Sequence, residues 1–71
     1  MPIVIAPQNR KLKIVRIAAD EKTKKHLENL GIILNGELMV LSASGGSVVC
    51  QVKDGKVALD RDISTKIFVA A

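Results

Sequence analysis

The spacing of apolar residues along this chain shifts from every second position to helical spacing and back, and each shift marks an element. From Lys11 to Ile14 basic and apolar residues alternate, which is the pattern of a strand with one wet face. The alternation then slips, with Val15 and Ile17 apolar around Arg16, and this predicts a bulge or a strand end covered on both faces. A helix is expected over residues 21–30. Asp20 supplies a capping carboxylate, Glu21 lies at the positive end of the dipole, and Gly31 stops the helix in the left-handed region. Thr23, Leu27 and Leu30 form the stripe expected against a sheet, while Lys22, Lys25 and Asn29 point away. With Gly31 as the C′ residue, Leu27 and Ile32 occupy the two positions whose side chains touch in a Schellman motif.

The flanking segments complete the outline. Pro2 to Ala6 reads as a first edge strand or a strapping segment, ended by Pro7. After the helix, Asn35-Gly36 is a tight turn into a strand over residues 37–43, with Leu38 and Val40 on one face and Met39 and Leu41 on the other. Ser44-Gly45-Gly46-Ser47 is a hairpin signal, and Val48, Cys50 and Val52 then share a face. Asp54-Gly55 is a second hairpin, leading to a strand over residues 56–59. Residues 60–64 read as one helical turn around a buried Ile63, and residues 66–70 as a closing strand with Ile67 and Val69 inward. Five or so short strands with one inserted α-helix describe a mostly β fold, a small partly open barrel.

Length and composition narrow this further. The 71 residues make one domain, 1–71, that buries only about 60% of its extended surface, so a large internal pocket is not expected. Phe68 is the only aromatic residue, so the core is aliphatic. Without Trp or Tyr the chain lacks the stacking platforms of single-strand nucleic-acid binders and proline-peptide binders. The net charge of +4 suits acidic partners, although the lysines and arginines are scattered as on an ordinary solvated surface. One cysteine, Cys50, permits no intrachain disulfide and points to a reducing compartment. Met1-Pro2-Ile3 does not open a leader, and no stretch approaches the roughly 20 apolar residues of a membrane span, so a cytoplasmic protein without direct membrane insertion is expected.

The chain is poor in reactive groups. His26 is the only imidazole, and its place near the helix C-terminus suits an exposed capping side chain. Cys50 lies among valines, where a thiol behaves as a small buried hydrophobe. No C-x-x-C or H-x-x-x-H spacing occurs, and Asp60 and Asp62 fit a cap for the following helical turn better than a metal site. Gly45-Gly46 lacks the Lys-Ser or Lys-Thr of a phosphate loop. The expectation is therefore no catalysis, no cofactor and no intrinsic metal site, with His26, Asp60 and Asp62 as the only ligand candidates. What remains is surface: Ile32, Ile33 and Leu34 beside the helix end, rimmed by Lys24, Lys25 and Glu37, resemble a protein contact patch. Leu27, Ile33 and Leu34 are the expected apolar contacts and Lys24 and Lys25 the steering charges, although the same aliphatic groups could instead plug the barrel mouth.

These residues also carry a family resemblance over nearly the whole chain. Leu12-Lys13-Ile14-Val15-Arg16-Ile17, His26-Leu27-Glu28-Asn29-Leu30-Gly31-Ile32 followed by Asn35-Gly36, Val57-Ala58-Leu59-Asp60-Arg61, and Lys66-Ile67-Phe68-Val69 resemble the FeoA-type accessory proteins of bacterial ferrous iron transport. The resemblance implies an SH3-like barrel with an inserted helix, acting in the cytoplasm without catalysis of its own. It also implies a partner, the cytosolic nucleotide-hydrolysing part of the FeoB ferrous iron permease, and leaves a homo-oligomer open. The link from Gly31 to Gly36 is longer than is usual in the family, and Ser44-Gly45-Gly46-Ser47 stands where many members have a proline-containing loop. The same barrel occurs in iron-dependent repressors, so the alternative is a metal-sensing or regulatory domain.

Overall fold

The computed structural model describes residues 1–53 and 55–71. Five antiparallel strands, β1 (Lys11–Ile17), β2 (Glu37–Ser44), β3 (Ser47–Val52), β4 (Gly55–Leu59) and β5 (Ile67–Ala70), form one sheet in the order β4-β3-β2-β1-β5. One helix, α1 (Glu21–Asn29), is inserted between β1 and β2, and a single turn, α2 (Arg61–Ser64), joins β4 to β5. The mostly β, partly open barrel is as expected.

Strand parity places the core. Leu12, Ile14 and Ile17 of β1, Leu38 and Val40 of β2, Val48, Cys50 and Val52 of β3, and Ile67 and Val69 of β5 are all buried, together with Leu27 and Ile32 from the helical side. The slip in β1 is a bulge. Ile14 pairs with Val69 and Arg16 with Phe68, which leaves Val15 as the extra, exposed residue. Phe68 stays on the outside of β5, where the Arg16 guanidinium lies 5.5 Å from its ring centre, so the core is aliphatic throughout. At the β2–β3 hairpin Ser44 pairs with Ser47, and Gly45 and Gly46 both adopt positive φ (59° and 87°), as a type I′ turn requires.

Two expectations change, for Leu30 and for Ile63, and one alternative is decided, since residues 2–6 are the strapping segment and not an edge strand. Residues 2–6 strap the barrel as a 3-10 turn at Ile3–Ile5, and only Pro2 bridges to Phe68 in strand fashion. Burial explains this: Ile3 and Ala6, three apart, enter the core while Ile5 points to solvent, a spacing that an alternating strand cannot provide. Leu30 does not join the helical stripe. It is the C-cap and is exposed, because the chain reverses at Gly31 and Ile32 takes the core position instead. In α2 the buried residue is Ser64 and Ile63 is only half-buried. The Ser64 hydroxyl donates to the Gly46 carbonyl and ties α2 to the β2–β3 hairpin. The Asp54-Gly55 turn falls partly outside the described residues, since Asp54 is not among them; Gly55 itself opens β4, opposite Val52.

Candidate docking surface

The ends of α1 are built by local chemistry. The Asp20 carboxylate accepts from the Thr23 backbone N–H at 2.8 Å, and the hydrogen bonds from Thr23 hold the carboxyl below its ordinary range. At the other end the Gly31 N–H donates to the Glu28 carbonyl and the Ile32 N–H to the Leu27 carbonyl, both at 2.9 Å. These are the two bonds of a Schellman motif, with Gly31 at φ +91° and Leu27 and Ile32 in its hydrophobic contact positions. Gly31 has no room for a side chain, since a β-carbon there would lie 2.9 Å from Val52 Cγ1.

The motif aims the next two residues outward. Ile32 is fully buried, whereas Ile33 and Leu34 are 46% and 54% exposed. The segment then turns sharply: Gly36 N–H donates to the Ile33 carbonyl at 3.0 Å, and Asn35 takes φ +67°. It is also pinned to β1 from both sides, because the Asn35 N–H donates to the Ile14 carbonyl and the Ile14 N–H to the Gly36 carbonyl, each at 2.8 Å. Two aliphatic side chains are thus held in water on a fixed backbone.

The expected contact residues are not all brought together. Leu27 is fully buried and packs in the core, so it does not face a partner; its place at C3 of the motif consumes it. Lys24 and Lys25 lie on α1, and the Lys24 ammonium lies 3.9 Å from Glu21 Oε1, an exposed pair of little energetic weight. His26 is exposed on α1, and Asp60 caps α2 by accepting from the Ile63 N–H at 3.0 Å. Among the described residues no three His, Cys, Asp or Glu side chains lie together where they could hold a metal ion. Cys50 is buried, donates to the Val57 carbonyl at 3.6 Å, and burial pushes its thiol up to about 11, so it is not a nucleophile at neutral pH.

Beside Ile33 lies an open groove of about 380 Å³. Gly31, Ile33 and Gly36 line it from the α1–β2 connection, and Leu38 and Met39 from β2. Lys11 enters from β1, Gln51 and Lys53 from β3 and its end. Ile33 belongs to the contact patch expected from the sequence, whereas the grouping of Lys11, Met39, Gln51 and Lys53 beside it was not expected. The outward parity of β1, β2 and β3 was the available signal, because Lys11, Met39 and Gln51 alternate with core residues and pair in register across the three strands.

A five-stranded antiparallel sheet curled around an aliphatic core, with a helix inserted after its first strand, places this chain among the small SH3-like β domains. The FeoA domain model matches residues 1–71, and the chain belongs to that family, which is associated with ferrous iron transport. A crystal structure described as an iron uptake regulatory protein (FeoA) superimposes with a TM-score of 0.85 at 16% identity, over 97% of this chain and 93% of that one. At that identity the likeness speaks for the fold. No curated protein matches. Among the described residues no helix is long and apolar enough to cross a membrane.

Proposed function

We propose that this chain is a non-enzymatic, cytoplasmic accessory protein of ferrous iron uptake that docks on the cytosolic, nucleotide-hydrolysing part of a FeoB-type permease. The observation that carries the reading is the pair Ile33 and Leu34, held about half exposed on a connection hydrogen-bonded at both ends to the barrel. Covering the exposed half of each side chain contributes on the order of 1 kcal/mol, so the pair anchors a contact without making it tight. Lys24 and Lys25, on the preceding helix α1, supply positive charge whose effect falls on the association rate. The reading of the chain as a metal-sensing regulatory domain gains no specific observation, since Asp60 serves as a helix cap and His26 is solvent-exposed.

Pull-down of the purified cytosolic domain of the permease tests the docking. Ile33→Asp and Leu34→Asp abolish capture while leaving the thermal midpoint within a few degrees, because neither side chain is in the core. Unchanged capture by both variants places the contact elsewhere and ends the proposal.

A further inference from the structure

The outer face of the sheet beside the docking loop carries a row of four side chains. Through the registers Lys11↔Met39, Met39↔Gln51 and Gln51↔Lys56, residues of β1, β2, β3 and β4 stand side by side, with the Met39 thioether and the Gln51 amide between two ammonium groups. Three of them, Lys11, Met39 and Gln51, also line the groove, together with Ile33 and Lys53. The charge there is lopsided. Among the described residues Glu37 is the one carboxylate on the groove wall, and it stands opposite Lys13 across β1 and β2, which offsets it locally. Among the described residues the only ion pair joins Lys24 to Glu21, so Lys11, Lys53 and Lys56 have no such partner there.

We propose that this groove receives an extended protein segment whose aliphatic side chains are flanked by carboxylates about three residues apart. The inference deepens the docking reading and rests on it for the identity of the protein that carries the segment. Lys11 lies on β1 and Lys53 just past the end of β3, two strands away in the sheet and on the order of 10 Å, and an extended chain rising about 3.3 Å per residue covers that in three residues. The aliphatic residues between the carboxylates then lie against Met39 and Ile33, which are open to them. A second copy of this chain is a poor occupant, because it brings a net charge of +4 against the same charge. A nucleic acid would satisfy the lysines but find no aromatic surface in the groove to stack on.

The test is a titration of the ¹⁵N-labelled chain with the acetylated and amidated peptide Gly-Ser-Glu-Leu-Ile-Glu-Ser-Gly. Parallel titrations use its lysine-for-glutamate counterpart, an oligo-dT strand and phosphatidylglycerol vesicles. The acidic peptide shifts the amides of Lys11, Ile33, Met39 and Gln51, the lysine peptide does not, and the double variant Lys11→Glu with Lys53→Glu binds the acidic peptide about tenfold more weakly at an unchanged thermal midpoint. Equal shifts from both peptides, no shifts, or a stronger response of the same amides to the oligonucleotide or the vesicles overturn the inference. If capture of the permease domain is lost with Leu34→Asp yet untouched by the double charge reversal, the docking reading stands and the groove inference falls.

Discussion

Replacing Gly31 by alanine asks how much of this domain's stability rests on one reversal of the chain. Two costs follow from the geometry. Gly31 has φ +91°, and placing a β-carbon on left-handed backbone costs about 1–2 kcal/mol. The new methyl also lies 2.9 Å from Cγ1 of Val52, which is only 5% exposed on β3 and has little space to retreat, so overpacking adds about 1–3 kcal/mol. The sum, about 2–5 kcal/mol, is a large share of the roughly 4–11 kcal/mol expected for a domain of this length at ~0.05–0.15 kcal/mol per residue.

Gly45→Ala separates the two terms, because Gly45 also has positive φ (59°) but nothing lies within 4 Å of its β-position. Only the backbone cost, about 1–2 kcal/mol, applies there. Urea unfolding followed by far-UV circular dichroism is the assay, since a chain with Phe68 as its sole aromatic has no useful fluorescence. In a double-mutant cycle, Val52→Ala removes the contacted methyl and makes Gly31→Ala cheaper by about 1–3 kcal/mol than in the parent. A Gly31→Ala variant no less stable than Gly45→Ala refutes the packing half of the argument, and no coupling to Val52 refutes its cause.

Three further outcomes follow from the same structure. The hydrogen bonds from Thr23 depress the Asp20 carboxyl below 3.8, so its contribution is present above the unfolded carboxylate range and lost as pH falls through the folded value. Asp20→Asn keeps a capping oxygen and should flatten the acid limb of urea midpoints measured between pH 6 and pH 2; an unchanged slope counts against the cap. With its thiol pushed up to about 11 by burial, Cys50 should be inert to a disulfide reagent at pH 8 in the native state and react at the rate of unfolding, whereas rapid reaction without denaturant contradicts the burial. Leu27→Ala should cost about 2–5 kcal/mol by calorimetry and Leu34→Ala less than about 0.5, and similar costs for the two would mean that their burial has been misassigned.

What could be read in advance was what local rules decide. The Lys11–Ile17 strand, its bulge, the Asp20 cap and the Leu27-Gly31-Ile32 closure each depend on a handful of adjacent residues, and each stands in the structure. What was left open or misread are positions where a contact distant in sequence decides. Pro2 to Ala6 is apolar throughout, so its pattern could not announce that Ile3 and Ala6, and not the alternate residues, would be buried. Ser64 is buried because its hydroxyl meets the Gly46 carbonyl, eighteen residues earlier, which no reading of the Asp60–Ser64 segment alone supplies. The candidate surface divides in the same way. The apolar link marked Ile33 and Leu34 as either a contact patch or a plug of the barrel mouth, and the structure leaves them exposed, but the groove beside them needs the lateral registers of β1, β2 and β3.

The tension in this fold is that a connection of three consecutive aliphatic residues, Ile32, Ile33 and Leu34, buries only the first. A loose loop with such residues would collapse onto the barrel or sample many conformations, and docking would then carry the entropy of ordering them. Here that ordering is already done. The Schellman closure fixes the entry at Gly31 and Ile32, the Ile14 peptide groups fix the exit at Asn35 and Gly36, and only the two side chains between remain free to choose rotamers. The residual cost on binding is then that of two aliphatic side chains, about 0.5–1 kcal/mol each, comparable with what covering them returns. Selectivity must therefore come from elsewhere on the same face, and Lys11 and Lys53 of the neighbouring groove are the groups positioned to supply it.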